Sequence, residues 1–206
     1  MDVETSIRKL GYVGVLNFAT VDQKGNPQVR NISAFHFEEG KMYFLTARGK
    51  SFARQLRHDG RVQASGYTMY KETIRLSRTA KELPPKERLH WRNVLYEEQP
   101  YLENVYPGET KNIDTIFVID GFWIEYFCLS TRPITREYFS VGGVPIPPKG
   151  YTVDASCIGC GTCMGVCPQD AIAEGTPYAI NPSHCLQCGN CFEHCPVGAI
   201  HWLGCD

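Results

Sequence analysis

From Gly11 the chain carries a β-rich run of apolar and β-branched positions, Tyr12, Val13, Val15, Leu16, Phe18, Thr20 and Val21. It stops at Asp22-Gln-Lys-Gly25-Asn26-Pro27, a hairpin-turn sequence. A second strand is expected from Val29 to Phe37, with Ile32, Ala34 and His36 alternating against Asn31, Ser33 and Phe35. Glu38-Glu39-Gly40-Lys41 then turns the chain into a third strand, Met42 to Ala47. Ahead of these, residues 2–9 predict one or two helical turns, with Ile7 and Leu10 available to pack.

The period changes at Lys50 to His58, where Phe52, Ala53 and Leu56 share one face of a short helix that Gly60 ends. Alternation returns over Arg61 to Tyr70 and Glu72 to Ala80. Pro84 or Pro85 suits the first turn of a helix reaching about Tyr96, and a shorter helix follows Pro100. Strands at Ile113 to Asp120 and Phe122 to Leu129, hinged at Gly121, complete an antiparallel sheet of about six or seven strands. Such a meander with few helices closes most readily into a small barrel. Thr131 to Tyr151 alternates prolines with glycines and reads as a stiff linker holding a short strand at Glu137 to Val141. The expected organisation is α+β: a barrel over 1–130, a linker over 131–150 and a small domain over 151–206.

Cysteine usage supports this division, because nine of the ten cysteines lie after position 150 and only Cys128 precedes it. The last part has about 55 residues, a size at which metals usually supplement the core. A formal net charge of -1 gives no electrostatic footprint for nucleic acid or an anionic membrane. No apolar run approaches the ~20 residues of a membrane span, and Met1-Asp-Val-Glu4 lacks a signal-peptide start. A cytoplasmic protein with reduced thiols is expected.

The cysteines form two runs, Cys157-Ile-Gly-Cys160-Gly-Thr-Cys163-Met-Gly-Val-Cys167-Pro168 and Cys185-Leu-Gln-Cys188-Gly-Asn-Cys191-Phe-Glu-His-Cys195-Pro196, set 28 residues apart as an internal repeat. Zinc sites more often present two C-x2-C pairs, and a reducing compartment argues against disulfides. Over residues 151–203 the chain resembles the bacterial two-cluster ferredoxin family, whose C-x2-C-x2-C-x3-C-P runs each lend their fourth cysteine to the other cluster. The resemblance implies two [4Fe-4S] clusters. One would be held by Cys157, Cys160, Cys163 and Cys195, the other by Cys185, Cys188, Cys191 and Cys167. Gly161 and Gly189 would allow close backbone approach, and Pro168 and Pro196 would redirect the chain. Cys128 and Cys205 fit neither run; they read as a buried strand cysteine and a frayed terminus.

The first part also carries a resemblance. Val21 to Asn31, with Gly25, Pro27, Val29 and Arg30, then Gly40-Lys-Met-Tyr-Phe-Leu-Thr46, Lys50-Ser51 and Gln55-Leu56 are similar to the pyridoxamine-phosphate-oxidase-like family of FMN-binding split barrels. The likeness extends over about residues 8–130 and includes the Trp123 to Phe127 strand. It implies FMN as cofactor, with Arg30, Asn31, Ile32 and Ser33 lining the flavin, Leu45 and Thr46 touching it, and Lys50 and Ser51 holding the phosphate. Lys50 and Ser51 open a helix, where free N–H groups favour an anion. Gln55 is a further candidate. His36, on the same strand, is the candidate proton donor to a substrate. The basic cluster for a pyridoxamine phosphate substrate is missing, and Tyr67, Tyr70 and Trp91 read as core or rim aromatics. Family barrels bind flavin at a two-fold interface, so a homodimer is expected.

Together these parts predict an iron–sulfur flavoprotein that takes single electrons from an external donor protein and reduces a small-molecule substrate by two. The alternatives are a relay between redox partners with no substrate of its own, or a barrel holding haem or deazaflavin. No G-x-G-x-x-G stands between a strand and a helix to mark a nicotinamide site.

Overall fold

The computed structural model describes residues 1–204; Cys205 lies outside them. Helix α1 (Val3–Val13) starts at Asp2, whose carboxylate accepts from Thr5 N at 2.7 Å. It ends at Gly14 in the left-handed conformation, φ 70°, with Gly14 N–H donating to Leu10 O. The helix is therefore longer than the expected 2–9, and Tyr12 and Val13 belong to its last turn instead of a strand. The cap fixes the boundary that β-propensity alone places too early.

Strands β1 (Leu16–Val21) and β2 (Pro27–Ile32) form the expected hairpin, with Leu16 opposite Ile32. The single strand expected over Val29 to Phe37 is two. β3 (Phe35–Glu38) begins after a break at Ser33-Ala34 and pairs with β4 (Lys41–Ala47). Apolar alternation runs through the break with no Gly or Pro to mark it, so the period hides a change of partner strand.

The remaining elements of this part are α2 (Ser51–His58), β5 (Arg61–Tyr67), β6 (Glu72–Glu82), α3 (Pro85–Glu98) and α4 (Leu102–Val105). A 3-10 turn (Gly108–Ile113) leads into β7 (Asp114–Asp120), β8 (Phe122–Cys128) and β9 (Thr135–Val141). The antiparallel sheet runs β2-β1-β5-β6-β7-β4-β3, with β8 paired to β6 and β9, making nine strands where six or seven were expected. The break at Ser33-Ala34 and strand β9 account for the difference. The cysteine-rich part holds only short elements: β10 (Tyr151–Val153), α5 (Thr162–Gly165), β11 (Ile172–Ala173), β12 (Ala179–Ile180), α6 (Asn190–Glu193) and β13 (Ile200–Trp202).

The described residues form two compact units, 1–68, 74–124 and 139–144 in the first and 69–73, 125–138 and 145–204 in the second. In the first, Phe44 is fully buried against Phe18, Phe52 and Phe117, with ring centroids 5.0, 5.7 and 5.8 Å away. Each such ring contributes about 1.5–3 kcal/mol by burial. A second apolar cluster joins Tyr43, Leu45, Leu95, Tyr96, Leu102 and Ile116, and Trp91 stacks on Tyr43 at 3.5 Å. The small core of the second unit is partly made of cysteine: Cys163, Ile172, Tyr178, Cys191 and Ile200 are all buried together. No helix of the described residues is long and apolar enough to cross a membrane.

Candidate functional site

The eight run cysteines line two separate hollows. Cys157, Cys160, Cys163 and Cys195 face the first, together with Gly161 and Tyr178. Cys167, Cys185, Cys188 and Cys191 face the second, together with Gly189 and Tyr151. The two halves repeat in detail. Ala199 N donates to Cys195 Sγ at 3.3 Å and Ala171 N to Cys167 Sγ at 3.4 Å, 28 residues apart in each case. A Cβ on Gly161 would meet Tyr178 Oη at 3.3 Å and one on Gly189 would meet Tyr151 Oη at 2.9 Å, so both tyrosines close on a bare backbone. None of these thiols is in a disulfide. Burial pushes the Cys191 thiol up to about 11. Four thiols per hollow, with amide donors at the sulfurs, fit the needs of an iron–sulfur cluster.

The first unit has an open cleft of about 150 Å³ between β2, the Ser33-Ala34 break, β4 and the α4 segment. Six of the eight expected flavin contacts line it: Asn31, Ile32, Ser33, Leu45, Thr46 and Lys50. Lys50 is the N-cap of α2, which has no side-chain cap. A cation at that position opposes the helix dipole, an arrangement that a bound anion would relieve. Ser51 begins α2 and is exposed, outside the lining. Arg30 is absent from the lining. Its guanidinium donates to Thr20 Oγ1 at 2.5 Å and Gln55 Oε1 at 2.8 Å and lies 4.5 Å over the Phe52 ring. Gln55 is accordingly engaged with Arg30 and Thr20 and is also absent from the lining. His36 lies outside the cleft as well, with Nδ1 2.8 Å from Glu98 Oε1 and its ring 5.7 Å from Trp91.

Residues 149–197 match the model of the 4Fe-4S dicluster domain. A pyridoxine/pyridoxamine 5'-phosphate oxidase of Baumannia cicadellinicola subsp. Homalodisca coagulata is 28% identical over 153 residues, 73% of this chain and 66% of that one, so the chain spans just under two thirds of that relative. A NimC/NimA family protein from Clostridium acetobutylicum superposes with a TM-score of 0.56 at 23% identity, over 67% of this chain and 93% of the other. A pyridoxamine 5'-phosphate oxidase-related, FMN binding protein from Nostoc punctiforme gives 0.52 at 18%, over 68% and 92%. The first part has the fold of these split-barrel proteins, and the last part matches a 4Fe-4S dicluster domain.

Sequence reasoning missed one wall of the barrel cleft. Tyr101, Leu102, Val105 and Tyr106 complete the lining, with Ser33 Oγ 2.6 Å from Tyr101 Oη and Lys50 Nζ 5.7 Å from the Tyr106 ring centre. The only signal available was the short helix after Pro100, which carries no motif. Near the same corner of the split barrel, Asp114 is paired in register with Ala47 and is 2% exposed. It accepts from Tyr96 Oη at 2.6 Å through Oδ2, while Oδ1 has no hydrogen-bond partner. Burial raises its pKa, and the Tyr96 bond and the charges of Arg92, Lys50 and Arg48 act against that rise.

Proposed function

We propose that this protein is an iron–sulfur flavoprotein in which the dicluster domain exchanges single electrons with an external carrier protein and the split barrel reduces a small organic molecule. The observation that carries the reading is the sorting of the cysteines: each hollow is lined by three thiols of one run and the fourth of the other. On this reading one [4Fe-4S] cluster is held by Cys157, Cys160, Cys163 and Cys195, and the other by Cys185, Cys188, Cys191 and Cys167. FMN is the cofactor assigned to the barrel cleft, and a homodimer through the barrel is the assigned assembly. When bound, clusters supply single electrons and a flavin supplies two-electron reduction, which is the use of joining them.

The chain's own residues then have definite tasks. Lys50 and the unsatisfied first-turn amides of α2 bind the phosphate. Asn31, Ser33 and Thr46 offer hydrogen bonds to the ring, and Ile32, Leu45 and Leu102 exclude water from its face. Arg30 acts at one remove, by fixing Gln55 and Thr20 at the back of β1 and α2.

Anaerobic purification with iron, sulfide and flavin quantified tests the assignment; about eight iron and one flavin per chain are expected. Lys50→Ala should weaken FMN binding about tenfold, the loss of one charge-assisted contact, at constant iron content. A barrel that copurifies with haem or no chromophore would overturn the flavin assignment. Reoxidation of the reduced protein by an organic acceptor faster than by free FMN separates a reductase from a relay.

A further inference from the structure

Although the two cysteine runs repeat at 28 residues, their surroundings are not the same, and one difference involves a buried charge. Gly159 of the first run has φ 71° and Gln187, its counterpart in the second, has φ 62°. A left-handed conformation is strained for glutamine and nearly free for glycine. The side chain uses that position: Gln187 Nε2 donates to Tyr138 Oη at 3.3 Å, while Gln187 N donates to Cys185 Sγ at 3.3 Å. Tyr138 Oη in turn donates to Glu125 Oε1 at 3.2 Å, and Arg136 Nη1 donates to the same oxygen at 3.0 Å.

Arg136 and Glu125 are 8% and 2% exposed, and Arg136 is the only buried basic residue among those described. Its guanidinium packs 4.4 Å from the Phe127 ring centre, and its Nε has no hydrogen-bond partner. The backbone holds it beside the second run, with Arg136 N donating to Ser183 O at 2.8 Å and His184 Nδ1 3.0 Å from Ile134 O. A buried ion pair of this kind contributes little net stability. Its field is another matter, because a cation in a low-dielectric setting favours the more negative, reduced state of a nearby cluster.

We infer that Arg136, positioned by Glu125, Tyr138 and Gln187, makes the two cluster sites unequal, so that the one lined by Cys167, Cys185, Cys188 and Cys191 has the higher reduction potential and fills first. This inference rests on the two-cluster assignment above, and it adds an order of loading to it.

The test is an anaerobic redox titration of the purified holoprotein, followed by electron paramagnetic resonance. In the Arg136→Gln/Glu125→Gln double variant the higher of the two potentials should fall by about 59 mV, a tenfold change in a one-electron equilibrium constant, with the lower potential unmoved. Glu125→Gln alone, which leaves the guanidinium unopposed, should raise the higher potential, and it decides the matter if the double variant fails to hold iron. Equal movement of both potentials, or no movement in either variant at full iron content, would overturn the inference. A wild-type protein lacking about eight iron fails the cluster assignment itself, and the iron assay reports that before any titration.

Discussion

The split barrel and the dicluster domain hold their sites by opposite means. In the barrel, six cleft residues from β2, the break after it, β4 and the N-cap of α2 are brought together by strand pairing and by a phenyl core several residues away. In the dicluster domain the strands run to two or three residues and the helices to four, and two of the five buried core residues are themselves cysteines of the hollows. One region is a scaffold that carries a site, and the other is a site that serves as its own scaffold. Substitutions should therefore separate cofactor from fold in the barrel and fail to do so among the cysteines.

The largest expected effect is Cys191→Ala, which removes a thiol that is both hollow lining and core. Iron should fall by about half or more, and limited proteolysis should open the C-terminal part while barrel fragments survive. Retention of full iron would break the comparison. Next comes Phe44→Ala at the centre of the barrel core. It should cost about 3–5 kcal/mol in urea unfolding of the barrel, with iron per folded molecule unchanged. If iron is lost in proportion, the two regions are not separable in this way.

The smallest of the three effects depends on pH. Glu82 accepts from Arg57 Nε and Nη2 at 2.6 and 2.8 Å and from Thr115 Oγ1, and these bonds, with the charges of Arg57 and Arg88, hold its pKa down to about 2 from 4.5. A carboxylate depressed in the folded state stabilises above its unfolded pKa, and that contribution disappears as pH falls through the folded value. Glu82→Gln should thus cost on the order of 2 kcal/mol at neutral pH, and tryptophan fluorescence in urea should show the difference shrinking below pH 4.5 and vanishing near 2. A penalty that is constant with pH would mean that shape, and not charge, holds this end of β6.

What the sequence disclosed follows the same division. Spacing along the chain is covalent, so the two cysteine runs could be read without any fold, while their crossed grouping was what the ferredoxin resemblance implied. The barrel was legible as strands because alternation reports one buried face, yet alternation is blind to which neighbour a strand pairs with. That is why Val29 to Phe37 read as one strand when Ser33-Ala34 divides it. The resemblance put Arg30 at the flavin; that Gln55 and Thr20, 25 and 10 residues away, hold its guanidinium could not be read from the strand pattern. Tyr101 and Tyr106 gave no signal, since they reach the cleft through tertiary packing alone.

The crossed sorting of the cysteines has a consequence for ancestry and assembly. A single 28-residue repeat presents three thiols to its own hollow and its fourth to a neighbour, so one copy by itself completes nothing. Two identical copies would complete both, which is the geometry of a swapped dimer whose partners have been spliced into one polypeptide. In the joined chain the set from Cys167 to Cys191 is nested inside the set from Cys157 to Cys195, so a ribosome delivers the last thiol of the inner hollow four residues before that of the outer one.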